Sequence, residues 1–127
     1  MKILNLIIKQ KYFDEIIAGT KTQEFREIRP TTSKKYIHYL HDGIEYDDDR
    51  DLPEEGDVDI VPIQYDAIRF FVGYNKDRAS ALVEVKDAFV ELFVDEEGND
   101  IVYEYKGEEY IAAQITYNLG KVIEKNV

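Results

Sequence analysis

Lys21, Glu24 and Arg26 set an ammonium, a carboxylate and a guanidinium close together in one short stretch, Gly19-Thr20-Lys21-Thr22-Gln23-Glu24-Phe25-Arg26. On an extended strand, residues two apart share a face, so Glu24 and Arg26 lie side by side and Phe25 is expected to point the other way, into the core. Arg26 offers a fixed fork of donors that matches a phosphate, a carboxylate or a base edge. Glu24 can orient either cation or accept from an exocyclic amine. Lys21 can neutralise an anion, or serve as a base where burial lowers its pKa. The same charges also describe an ion-pair cluster that merely decorates a strand, and charge pattern alone leaves both readings open.

The elements that must position these groups can be read from periodicity. Residues 3–8, Ile-Leu-Asn-Leu-Ile-Ile, are apolar and β-branched, as in a buried strand. Tyr12, Phe13, Ile16 and Ile17 then recur at helical spacing, and Gly19 stands where a helix C-cap belongs. Thr22–Ile28 returns to strand character. A strand, a short helix, a glycine turn and a second strand therefore bring Lys21 to a helix-to-strand junction.

Further on, Pro30-Thr-Thr-Ser breaks the strand and can cap a turn of helix carrying Lys34, Lys35, Tyr36 and Tyr39. Residues 41–59 are dominated by acids and read as an exposed loop. Their register lacks the alternating acids, central Gly and terminal Glu of a calcium-binding EF-hand loop. His38 and His41 lie three apart, a spacing that on a helix would suit a metal together with Asp42; no metal is expected, since paired surface histidines without function are commoner. The second half reads as β throughout: Tyr65–Tyr74, Ser80–Val94, Ile101–Tyr105 and Tyr110–Leu119, separated by turn signals such as Lys106-Gly107-Glu108. Short strands at this spacing predict an α+β, mainly β domain, closed or nearly closed as a barrel.

Composition bounds the function. The 127 residues suit one domain, and 44% hydrophobic content is enough for a packed core. There is no cysteine, hence no disulfide, zinc-thiolate site or cysteine nucleophile. No apolar run reaches the roughly 20 residues that cross a bilayer, and the first residues read as a strand and not a signal peptide, so a cytoplasmic protein without a membrane partner is expected. The net charge of −11 argues against duplex DNA or broad nucleic-acid binding. It is unevenly spread: residues 1–36 hold eight Lys/Arg against four Asp/Glu, and the remainder eight against twenty-three. Basic surface, if any, lies early. The ten tyrosines and six phenylalanines mostly alternate with aliphatics, which favours packing over base stacking. Tyr12, Tyr36 and Tyr39, which flank the basic segment, are the exceptions. Glu84, in Ala81–Lys86 (ALVEVK), either faces the same cleft or pairs with Lys86.

The segment Leu6 to Glu27 (LIIKQKYFDEIIAGTKTQEFRE) resembles the opening of ASCH domains, a branch of the PUA-like superfamily whose signature is G-x-K-x-x-E-x-R after a strand and a short helix. Here Gly19, Lys21, Glu24 and Arg26 supply it, and Ala81–Val85 is similar to the family's central strand. The resemblance implies a small PUA-like β-barrel with flanking short helices and a cleft floored by the signature. It implies a binding module for a nucleotide, a modified nucleoside or a short RNA, with Gly19, Lys21, Glu24, Arg26, Tyr12 and Glu84 as ligand-binding residues and no cofactor. One bacterial branch removes the acetyl group from N4-acetylcytidine nucleosides, a lysine at the Lys21 position assisting a threonine nucleophile. This chain has Glu24 in place of that threonine, and Thr22 stands two residues away. The alternative is therefore a small metal-independent hydrolase of a nucleoside derivative or of RNA, with Glu24 as general base and Lys21 as charge stabiliser.

Overall fold

The computed structural model describes residues Met1–Val127. In chain order the elements are β1 (Ile3–Ile8), α1 (Gln10–Ala18), β2 (Gln23–Ile28), α2 (Ser33–Tyr36), β3 (Ile37–His41), β4 (Ile44–Tyr46), a 3-10 turn (Asp49–Asp51), β5 (Val58–Pro62), β6 (Ala67–Val72), β7 (Ser80–Leu92), β8 (Val102–Tyr105), β9 (Glu108–Ile111) and β10 (Ala113–Asn126). The protein is thus mainly β with two short helices. No helix is long and apolar enough to cross a membrane.

The strands form a five-stranded sheet in the order β1-β6-β7-β10-β2, a three-stranded sheet β4-β3-β5 and a two-stranded sheet β8-β9. The largest sheet has two ends, β1 and β2, so it does not close into the expected barrel. The reason is local: several strands counted toward closure are spent in hairpins of their own. β3 and β4 join through Asp42 and Gly43, and β8 and β9 through Lys106 and Gly107, with His41 opposite Ile44 and Tyr105 opposite Glu108. All four turn residues have positive φ, the two-residue turn that matches strand twist.

By contact the chain gathers into two units, each assembled from separated segments. The first comprises Met1–Glu24, Gln64–Ala88 and Tyr117–Val127; the second comprises Phe25–Ile63 and Phe89–Thr116. In the first, β1 runs parallel to β6 from Ile3 opposite Ala67 to Ile8 opposite Val72, and β6 runs antiparallel to β7. Of the four residues read at helical spacing in α1, Phe13 and Ile16 are buried, Ile17 is half-buried and Tyr12 is exposed; Leu4, Leu6 and Ile8 of β1 are buried, as are Ile68 and Phe70 of β6. Each such side chain contributes about 1.5–3 kcal/mol by leaving water. In the second unit, β3 pairs with β5 from Ile37 opposite Pro62 to His41 opposite Val58. The acidic segment expected to be a plain loop therefore carries β4, a 3-10 turn and the start of β5. Glu45 and Asp59 stand in strands that are largely exposed on both faces, where acids meet water and do not prevent pairing.

His38 and His41 fall on β3, not on a helix, so a three-residue offset puts their side chains on opposite faces. His38 Nδ1 lies 3.0 Å from Asp47 Oδ1, and buried His41 donates from Nε2 to the Glu55 carbonyl at 2.6 Å. The expected strand Tyr110–Leu119 is in fact two, β9 ending at Ile111 and β10 beginning at Ala113.

Only Tyr36 and Tyr117 of the ten tyrosines are buried, against the expectation that most would pack inside. A phenol carries one polar atom that burial strips of water, and half-burial lets the ring pack while the hydroxyl stays wet. Burial is the first cause that raises the phenols of Tyr39, Tyr65 and Tyr103 above the ordinary value. For Tyr110 the first cause is its hydrogen bond to Glu108. Between the ordinary value near 10 and the raised native one, the unfolded chain has lost a proton that the folded chain keeps, so stability falls as pH rises through this window. Absorbance at 295 nm should show a class of tyrosines ionising later than the exposed ones, with the urea midpoint dropping above pH 10. A midpoint that holds steady while those tyrosines ionise would refute the assignment.

Candidate functional site

Lys21 owes its position to the end of α1. Gly19 takes φ of 80°, a left-handed conformation that only glycine adopts cheaply, and its N–H reaches back to the Ile16 carbonyl at 3.1 Å. The Glu15 carbonyl then accepts from the N–H of Thr20 at 3.0 Å, from the N–H of Lys21 at 3.1 Å and from the Thr20 hydroxyl at 3.2 Å. The backbone leaves this cap directly into β2. On its far side the Thr22 carbonyl accepts from Leu119 N–H at 2.9 Å, and Gln23 Nε2 donates to Asn118 Oδ1 at 2.7 Å. Asn118 in turn donates to Asp87 Oδ1.

That double anchoring fixes which face of β2 looks inward. Glu24 is 6% exposed and Phe25 is 47% exposed, the reverse of the expected orientation of Phe25. Ile28, also buried, lies four residues from Glu24 and three from Phe25, so it shares a face with the carboxylate and not with the ring. Only one of the two apolar residues could face in at this spacing, and the strand buries Ile28.

In the first unit, Lys21 Nζ lies 3.8 Å from Glu24 Oε1, with the side chains 17% and 8% exposed. The same ammonium sits 5.5 Å from the centre of the Tyr12 ring. Tyr12 is 41% exposed, and Lys11 Nζ is 5.8 Å from the ring as well. Gly19, Tyr12, Lys21 and Glu24 are therefore brought together: an exposed aromatic ring with two cations over it, one of them paired to a buried carboxylate. Arg26 is half-buried two residues beyond Glu24 on β2, where the chain has passed into the second unit. Thr22 is exposed.

Glu84 stands elsewhere in the first unit. Its carboxylate lies against Gly120, where a Cβ would collide with it, so glycine makes the room that this side chain occupies. It borders a cavity of about 590 Å³ with Tyr65, Asp66, Lys86 and Asp87, to which Gly19, Lys21 and Glu24 do not contribute. Glu84 thus belongs to a different polar concavity. Lys11 is the residue that sequence reasoning missed; its signal was its place beside Tyr12 in the helix that ends at Gly19. The chain matches no family model, no curated protein and no solved structure in comparisons with known proteins.

Lys21→Met should lower stability by about 1–3 kcal/mol, because the Glu24 carboxylate stays buried with one charged partner fewer. Thr22→Ala, one residue away and exposed, should stay within about 0.5 kcal/mol of the parent. Urea denaturation of both variants checks this, and equal losses would remove the special standing of Lys21.

Proposed function

We propose that the protein is a binding module for a nucleotide, a modified nucleoside or a short RNA element, engaged at the Tyr12–Lys21 surface. The observation that carries this reading is the exposed Tyr12 ring with Lys11 and Lys21 beside it. Lys11 and Lys21 lie over this ring, so their ammonium groups meet the phosphate or polar rim of a ligand whose base stacks on the part of the ring they leave open. Glu24, buried beneath Lys21, holds the ammonium in place and offers an acceptor to an exocyclic amine. The likeness of Gly19, Lys21, Glu24 and Arg26 to the ASCH signature supports the same ligand class. The net charge of −11 favours a small ligand over long RNA, since few basic groups are gathered here.

A thermal-shift series against nucleoside monophosphates, N4-acetylcytidine and short RNAs tests it, run on the parent, Lys21→Ala and Tyr12→Leu. A ligand bound only by the folded state adds about 2.7 kcal/mol at a hundred times its Kd, enough for a rise in Tm of several degrees. The expected result is a concentration-dependent rise that both variants abolish, with chromatography of the same samples reporting any turnover. A rise that survives both substitutions would place recognition elsewhere, and no rise with any compound would sink the proposal.

A further inference from the structure

The second unit holds a cavity of about 680 Å³, within the range of small-molecule sites. The β8–β9 hairpin supplies one wall. Tyr103 stands directly opposite Tyr110 across the ladder, and Tyr105 follows two residues on, so strand alternation gathers three phenols on one face. Tyr103 and Tyr110 stack with centroids 5.9 Å apart, and Tyr105 meets Tyr110 edge-on at 6.4 Å. Tyr39 of β3 provides a fourth ring, and the aliphatic lining comes from Ile28, Ile37, Ile60, Val90, Leu92 and Ile111. On the exposed hairpin these tyrosines are only half exposed. The hairpin therefore turns its aromatic side toward the cavity.

The charged groups at the mouth decide the sign of the ligand. Lys34 and Arg50 are both held by Asp48, at 3.5 Å and 2.7 Å. Arg29 is held by Glu27 at 2.9 Å, and its guanidinium covers the Tyr103 ring at 5.4 Å. Lys106 lies over Tyr105 at 5.4 Å. Two of these rings already hold a cation from the chain itself, which shows what their faces accept. Asp49 and Glu108 are in no ion pair; Glu108 instead accepts the Tyr110 hydroxyl at 3.0 Å. Asp49 has its carboxyl raised, first by partial loss of solvent, then by Asp48, with Glu108 adding to the repulsion. Tyr39 is raised partly by Asp49 and Asp48. Asp49, Glu108, Tyr39 and Tyr110 all line this one cavity, where a cation is favoured by both the carboxylates and the ring faces.

We propose that this cavity binds a small organic ammonium ion with an apolar or aromatic body, the body against the tyrosine wall and the ammonium between Asp49 and Glu108. The site is separate from the Tyr12–Lys21 surface and stands or falls independently of it. A free amine and the lysine side chain of a peptide share this chemistry.

Calorimetric titration with phenethylamine tests the proposal, alongside the neutral 2-phenylethanol, the anionic 3-phenylpropionate and N-acetyl-lysine amide. The amine should bind at least tenfold more tightly than the alcohol or the acid. Asp49→Asn, a near-isosteric change at an exposed position, should weaken it at least tenfold, and Tyr110→Leu likewise. Whichever of phenethylamine and the lysine amide binds tighter names the source. The proposal is overturned if the acid or alcohol binds within threefold of the amine, if Asp49→Asn binds the amine as the parent does, or if neither ammonium compound binds at millimolar concentration.

Discussion

The carbonyl of Glu15, at the end of α1, holds four donors at once, the N–H groups of Gly19, Thr20 and Lys21 and the Thr20 hydroxyl, and the site of the first unit depends on that convergence. Gly19 makes it possible by turning left-handed, which swings the N–H groups of Thr20 and Lys21 back over the helix end. A side chain at residue 19 would cost about 1–2 kcal/mol in that conformation. Because the Lys21 backbone is pinned there, the register of β2 follows, and with it the choice of face. Glu24 goes inward, Phe25 goes outward, and the ammonium of Lys21 is left between the buried carboxylate and the Tyr12 ring. One backbone conformation thus converts a run of polar residues into an oriented group.

Burying a carboxylate is costly unless partners replace its water, so a strand seldom presents one to the interior. On β2, Glu24 has Lys21 three residues earlier, just past the cap and 3.8 Å away, as one of the groups that offset its burial. The Lys21 side chain is itself mostly buried and keeps 17% of its surface in water. An incoming anion meets the ammonium through that remaining surface, with the pair to Glu24 left in place. The same logic explains why charge asymmetry along the chain matters more than its sum: the early cations cluster at one helix and its exit.

The first 28 residues were legible because their signals are local. Helical spacing, a cap glycine and a β-branched run act over a few residues, and β1, α1 and β2 fall where periodicity puts them. The face of β2 was not legible, since Phe25 and Ile28 are three apart and either could have been the buried one. In the acidic segment, composition hid structure. Asp42-Gly43 is a strong hairpin signal, yet it sits among acids that read as a solvated loop. The two units leave no mark in the sequence because neither is continuous: β2, β7 and β10 each run through the division without a linker, a glycine-rich stretch or a change in composition. The barrel expectation failed for a related reason. Strand count and spacing do not say which strands pair, and local hairpins compete with closure.

Tyrosine links the two sites and shows how one residue type serves opposite ligands. Its ring face is electron-rich and attracts cations, while its flat apolar surface stacks on any base. The ring itself therefore discriminates little. Beside Tyr12 the neighbours are Lys11 and Lys21, and an exposed ring with two ammonium groups over it suits an aromatic anion. Beside Tyr39 and Tyr110 the neighbours are Asp49 and Glu108, and half-buried rings edged by carboxylates suit a cation. Selectivity at each place then comes from the groups around the ring and from how much water reaches it. That is why ten tyrosines counted in the sequence carried little information, whereas their strand register and charged neighbours carry a good deal.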